Sequence, residues 1–265
     1  MTRHVRFTLD STLPVYSPDQ QPNVRKGLWN ADGLFQGQDG IFYKPASVWL
    51  LPPVAPSKIV CVGRNYADHA KELGNAVPEE PIIFLKPPSS LNAHKRPVYY
   101  PRLSKQISFE GELGLVIGRR ARFVSAAGAW DFVAGFTIVN DFTARDLQKK
   151  DGQWTRGKGF DSFCPIGPCW VPLEEVAFES LRVITRVNGE VRQDAPVTDM
   201  LFPPGAILQY VSSFMTLEPG DVIATGTPPG VGLVSPGDRV EVEIPGLGIL
   251  ENTIEPEPDP NGVEG

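Results

Sequence analysis

The sequence predicts a β-rich α+β protein with a small N-terminal β-rich domain, and three observations carry that prediction. Short apolar runs alternate with turns along the whole chain, because 26 Gly and 27 Pro are spread through 265 residues. Several runs repeat with a period of two, as in Val5-Arg6-Phe7-Thr8-Leu9. A hydrophobic content of 41% beside 21% charge supports one sizeable core with a small appended domain. No repeat of roughly 20 to 50 residues is present, which excludes a solenoid or propeller.

Taken in order, residues 3 to 53 hold short alternating segments and run into Leu51-Pro52-Pro53-Val54-Ala55-Pro56. That stretch suits neither a regular helix nor a central strand, so it divides an N-terminal domain, 1–55, from a larger domain, 56–256. Lys58 to Val62 reads as a buried strand, followed by Gly63-Arg64-Asn65-Tyr66. A short helix then runs from Ala67 to about Leu73, with Asn65 as its cap and Gly74 as its stop. Gln106 to Gly118 reads as one strand, with Ile107, Phe109, Leu113, Leu115 and Ile117 on one side and Ser108, Glu110, Glu112 and Gly114 on the other. Phe132 to Val139 is a nearly continuous apolar run, the mark of a strand covered on both faces. It ends on Asn140-Asp141, ahead of a helix opened by Thr143 with Asp146 three residues later. After Ile254 the acidic, proline-rich Glu-Pro-Glu-Pro-Asp-Pro-Asn-Gly predicts a loose tail over 257–265.

Composition excludes several classes of function. The net charge is −6 and no Lys/Arg run exceeds two residues, so no phosphate-tracking surface is written here and nucleic acid is not an expected partner. Neither a secretory leader nor a run of roughly 18 apolar residues occurs, which predicts a cytoplasmic protein without a membrane partner. Cys61, Cys164 and Cys169 fit neither a zinc knuckle nor a CxxC pair and read as packing residues. His4 and His94 read as surface residues, and no P-loop pattern is present.

The chemistry is carried by carboxylates. Glu110 and Glu112 point the same way from the strand, about 7 Å apart, and two anions that close repel unless a cation or proton lies between them. No Lys or Arg stands between Ser108 and Ile117 to serve. The plain alternative is a solvated strand face; Gly111 and Gly114, interleaved with the glutamates, argue for close approach of something to it. Asp141, at the end of a buried strand, is either a third ligand or a cap. Three oxygen donors without His or Cys favour a hard cation, Mg²⁺, with Mn²⁺ or Ca²⁺ as fits for the same set, and leave positions open for water and substrate. His69 and Glu72 stand three apart on one helix face, where a carboxylate can hold an imidazole in one tautomer. The alternative is an exposed histidine beside a solvated glutamate. Lys158 lies in Gly157-Lys158-Gly159, a flexible loop or an ordinary surface lysine.

These segments together resemble the fumarylacetoacetate hydrolase family. The resemblance rests on Gly63-Arg64-Asn65-Tyr66-Ala67-Asp68-His69-Ala70-Lys71-Glu72, Pro81-Ile82-Ile83-Phe84-Leu85-Lys86-Pro87, Phe109-Glu110-Gly111-Glu112-Leu113, Asn140 to Gln148, Gly157 to Asp161 and Ala224-Thr225-Gly226-Thr227-Pro228, in the family's order. It implies a mixed β-roll, usually a homodimer, and a metal held by Glu110, Glu112 and Asp141. It also implies that His69 and Glu72 activate water, that Lys158 assists at a developing anion, and that Arg145, Gln148 and Thr227 contact a small 2-oxo acid. Arg145 could equally brace a carboxylate. The activity expected is a Mg²⁺-dependent hydrolase cleaving a C–C bond of a 2,4-dioxo acid, of acylpyruvate or fumarylpyruvate type, through an enolate. A 2-oxo acid decarboxylase or a 2-hydroxyhepta-2,4-diene-1,7-dioate isomerase of aromatic catabolism would use the same enolate, and a non-catalytic metal- or ligand-binding protein would keep the same site.

Overall fold

A computed structural model describes residues 1–12, 15, 23–72, 74 and 76–259. Twenty strands, four α-helices and six short 3₁₀ segments occur among these residues, which is the β-rich α+β fold that the turn-dense sequence predicts. The helices are α1 (Ala67–Glu72), α2 (Arg145–Asp151), α3 (Thr155–Lys158) and α4 (Pro204–Phe214). None is long and apolar enough to cross a membrane. The strands form a twelve-stranded, a five-stranded and a three-stranded sheet. Pairing is mostly antiparallel, but Val222–Ala224 runs parallel to Ile59–Gly63, so the large sheet is mixed.

The strand Arg3–Thr8 joins that large sheet directly, with His4 opposite Trp170. Val5, Phe7 and Phe35 pack in one apolar cluster with Leu113, Leu115 and Phe136. All three cysteines are free and buried, in keeping with their reading as packing residues.

Three local expectations give way to tertiary contacts. Asn65 does not cap α1; its side chain donates to the carbonyls of Phe202 and Thr225 at 3.0 and 2.7 Å and accepts from the Phe202 N–H at 2.8 Å. Thr143 does not open α2 either. It lies in the short strand Thr143–Ala144, and its hydroxyl donates to the Asp141 carbonyl at 3.0 Å. The C-terminal strand Gly248–Pro256 pairs through Pro256 with Val98–Tyr100, so the chain is ordered two residues past Ile254. Of the expected tail, Glu257 accepts from the Arg102 N–H at 3.0 Å, and 260–265 lie outside the described residues, as does Leu73 at the expected end of α1.

Neither His4 nor His94 is a free surface residue. His4 stacks on Trp170 with ring centroids 4.0 Å apart. His94 accepts the Glu251 N–H at Nδ1, 3.1 Å away, and burial, helped by Lys95, pushes its pKa down to about 4. The unfolded chain therefore binds a proton below pH 6.5 that the folded chain refuses until about pH 4. This contribution is absent above pH 6.5 and destabilises the fold progressively as pH falls towards 4, by up to about 3 kcal/mol. Urea unfolding at pH 7 and pH 4.5 should show His94→Gln losing less stability between the two than the wild type. Identical losses would show that His94 titrates normally.

Candidate active site

Register brings the carboxylates together. The expected single strand 106–118 is two strands, Ile107–Phe109 and Gly111–Ile117, with Glu110 between them. The first pairs with Thr143–Ala144 and Gly232–Val234, the second with Val133–Asn140 and Val222–Ala224. Gly111 stands opposite Asn140, and the Asp141 N–H donates to the Glu110 carbonyl at 2.8 Å. One ligand atom each from Glu110, Glu112 and Asp141 then lies within 4.8 Å of the others. All three side chains are buried, so the solvated-face reading fails. The glycine between them also has another use: a Cβ on Gly111 would come within 2.2 Å of Thr185 Oγ1, so that residue admits the adjoining sheet.

Cations compensate two of the three anions. Lys158 Nζ donates to Glu110 Oε2 at 2.7 Å and to Asp141 Oδ2 at 2.6 Å. Lys86 Nζ donates to Asp141 Oδ1 at 2.6 Å and to the Phe142 carbonyl at 3.1 Å. Arg145 pairs with Glu110 Oε1 and also reaches Gln148 Oε1, at 3.2 Å, and Ser108. Burial works against the Glu110 anion, yet Arg145 and Lys158 hold its carboxyl well below the usual range. Glu112 has no ion-pair partner among the described residues; it accepts one N–H, from Gly226 at 2.8 Å. Burial, then the Asp141 and Glu110 charges, push its carboxyl well above the usual range. A buried anion beside two others, with oxygen as the only donor type, fits a hard divalent cation held by Glu110, Glu112 and Asp141.

A base stands in the same cavity. His69, on α1, is 3% exposed, which removes the exposed-helix alternative. Its Nδ1 lies 3.4 Å from Glu72 Oε2, and both Glu72 oxygens accept the Gly230 N–H at 3.1 Å. Burial lowers the imidazole pKa against the upward pull of Glu110 and Glu72. That direction favours the neutral ring.

The cavity measures about 710 Å³ and is lined by seven of the nine predicted residues, namely His69, Glu110, Glu112, Arg145, Gln148, Lys158 and Thr227. Glu72, which is exposed, and Asp141, which is fully buried, do not line it. Lys158 is not on a flexible loop: it ends α3 and is 2% exposed. The Thr227 hydroxyl donates to the Gly111 carbonyl at 2.8 Å and accepts from Gln193 Nε2 at 2.7 Å. Sequence reasoning missed Lys86 as a partner of Asp141. It missed Asn140 too, whose Oδ1 accepts the Glu110 N–H at 3.0 Å while its buried Nδ2 has no hydrogen-bond partner. A lysine ending the apolar run Ile82–Leu85 was the available signal, since a buried ammonium needs an anion. A second cavity, about 720 Å³, lies between the N-terminal strands and Trp170 and has no carboxylate in its lining among the described residues.

The pattern of known families decides where this site belongs: the description of the fumarylacetoacetate hydrolase C-terminal domain matches residues 58–255. The chain belongs to the fumarylacetoacetate hydrolase family. Among solved structures, a 5-carboxymethyl-2-hydroxymuconate delta-isomerase from Mycobacterium smegmatis is 40% identical, with a TM-score of 0.84 over 97% of this chain and 100% of its own. A fumarylpyruvate hydrolase from Pseudomonas aeruginosa, solved with Mn²⁺ and pyruvate, is 34% identical, with a TM-score of 0.73 over 77% of this chain and 91% of its own. The mitochondrial oxaloacetate tautomerase of Bos taurus is 43% identical over 216 residues, 78% of this chain and 69% of that protein. Isomerase, hydrolase and tautomerase thus share this family's scaffold, and the chain is an enzyme of the fumarylacetoacetate hydrolase family.

Proposed function

We propose that this enzyme moves a proton on a small 2-oxo acid, as a keto–enol tautomerase or double-bond isomerase, with His69 as the base and a divalent cation at Glu110, Glu112 and Asp141. The observation that carries the reading is a buried His69 in the same cavity as Glu110 and Glu112 of the triad. A cation bound there, Mg²⁺ or Mn²⁺, supplies Lewis-acid stabilisation of negative charge on a substrate oxygen. Glu72 at Nδ1 fixes the tautomer with the proton on Nδ1, so Nε2 carries the lone pair. Nε2 takes the proton from C3 of the 2-oxo acid and returns it at the other end of the enol system, while Glu72 stabilises the imidazolium between the two steps. With a cation held by the triad, the Lys158 ammonium on the cavity wall would be available to the substrate's anionic oxygens, and Gln148, braced by Arg145, would orient its carboxylate.

Hydrolytic C–C cleavage, the reaction favoured from the sequence, is the second reading. It needs Nε2 to take its proton from water instead of from carbon, and the fumarylpyruvate hydrolase likeness supports it. Proton transfer takes precedence because the more similar relatives, at 43% and 40% identity, are named for moving a double bond or an enol proton.

The test is a panel of enol oxaloacetate, 2-hydroxyhepta-2,4-diene-1,7-dioate, acetylpyruvate and fumarylpyruvate, with Mg²⁺ and after chelation. Conversion of the first two should exceed cleavage of the last two and vanish with EDTA. In parallel, Mg²⁺ at 100 times its Kd should stabilise the wild type against unfolding by about 2.7 kcal/mol. Glu112→Gln should remove most of that gain and remain folded, because the anion that needed a counter-charge is gone. Cleavage of the dioxo acids without isomerisation would establish the second reading, and activity that survives chelation would remove the cation from both.

A further inference from the structure

Four cationic side chains line the cavity: Arg64, Arg145, Lys149 and Lys158. Arg145 and Lys158 are already engaged by Glu110 and Asp141. Arg64 and Lys149 have no carboxylate within ion-pair distance among the described residues. Lys149 is exposed, whereas Arg64 is only partly exposed and is fixed in two ways. Its backbone is left-handed, with φ of 56°, a conformation that a residue with a Cβ adopts at a cost and that concentrates at functional sites. Its guanidinium carbon lies 5.9 Å from the Trp154 ring centroid. Trp154 in turn is pinned, meeting Phe84 edge-on at 5.1 Å, and a Cβ on Gly63 would come within 2.7 Å of its ring. A guanidinium held against an aromatic ring keeps N–H groups for an anion and loses little entropy on meeting one.

We propose that Arg64 is a specificity-determining residue that receives a second carboxylate of the substrate, at the end away from the 2-oxo acid group, so that the preferred substrates are 2-oxo dicarboxylic acids. The proposal rests on the reading of this cavity as a 2-oxo acid site. The triad, His69 and Lys158 take the reacting end. Arg64, Trp154 and Phe84 form part of the remaining wall, two aromatic rings beside one cation, with Gln106, Ser108 and Val231 also lining the cavity. A monocarboxylic 2-oxo acid leaves that cation without a partner and gains nothing from it.

The experiment compares oxaloacetate with 2-oxobutanoate in the Mg²⁺-loaded wild type, Arg64→Met and Arg64→Lys. Turnover is read as exchange of C3 protons for deuterium, corrected for the uncatalysed rate. Binding is read by calorimetry with the non-enolisable 3,3-difluoro analogues of both acids. The wild type should prefer the dicarboxylate in both readouts. Arg64→Met should weaken the dicarboxylate by about 10- to 10²-fold, the usual worth of a charge-assisted hydrogen bond, and change the monocarboxylate by less than about threefold. Arg64→Lys should recover part of the loss. Equal losses on both acids would make Arg64 a structural residue, and a wild type that does not discriminate in binding would overturn the proposal outright. Discriminating binding that depends on Arg64, with no exchange on either acid, would keep Arg64's role and overturn the proton-transfer function instead.

Discussion

Replacing His69 with Ala is expected to slow enol–keto conversion of oxaloacetate by about 10²- to 10⁴-fold, the range that a positioned general base contributes. The expectation follows from the placement of one buried imidazole against Glu72, 3.4 Å away. Arg145 and Lys158, which line the same cavity, are cations tied to carboxylates and cannot accept a proton. Decarboxylation of oxaloacetate breaks C3–C4 without a base, so the same variant should retain most of any such activity. Oxalate affinity should also persist, because Glu110, Glu112, Asp141 and Lys158 are untouched. The measurement is a pair of steady-state assays on one preparation, with oxalate calorimetry as the check on an intact site. Equal losses in both reactions would mean that His69 shapes the cavity and does not move the proton.

Replacing Lys86 with Met is expected to cost about 3 kcal/mol or more of folding stability, the usual penalty for removing one partner of a buried ion pair. Lys86 and Asp141 are both fully buried, and Met preserves the apolar stem while deleting the charge. Asp141 would keep Lys158 as its sole cationic partner, and that ammonium also serves Glu110. The double variant Lys86→Met with Asp141→Asn removes both charges and should recover part of the loss. Urea unfolding of the four proteins in a double-mutant cycle, without divalent cations, gives the coupling energy. A loss below about 1 kcal/mol for Lys86→Met would show that the pair is solvated in solution.

Period-two alternation was enough to find Glu110 and Glu112 on one side of the chain, and an apolar run ending in a polar pair was enough to find Asp141. Both signals are local; they pick out the residues, although the strand itself breaks at Glu110. What was illegible is what spans distance in sequence. Lys86 meets Asp141 across 55 residues, and the chain bends from one sheet to another at Glu110 because its pairing partners change there. Asn65 and Thr143 have the side chains of helix caps, but distant backbone carbonyls claim the Asn65 amide and pairing with Ser108 draws Thr143 into a strand. Lys158 read as a loop residue because its glycine neighbours suggest flexibility, whereas Gly157 and Gly159 flank it so that α3 can pack closely on α2 and Pro87.

The register between Gly111–Ile117 and Val133–Asn140 bears on how such a chain can change length over generations. Gly111 faces Asn140 and Glu112 faces Val139, and these two strands are joined by residues 118–132. Additions or losses inside that connection leave the facing of both strands intact. A single-residue deletion within Gly111–Ile117 or Val133–Asn140 exchanges inward and outward side chains from that point on. One lost between Glu112 and Ile117 would set Glu112 out of step with Val139, its partner across the register, and the three carboxylates would no longer converge. Descendants of this gene can therefore lengthen at the exposed residues 118–120 of the connection, though not at Ala121, Val124 or Ala129, which are buried in the core, while within the two flanking strands length is held as tightly as the identity of the carboxylates themselves.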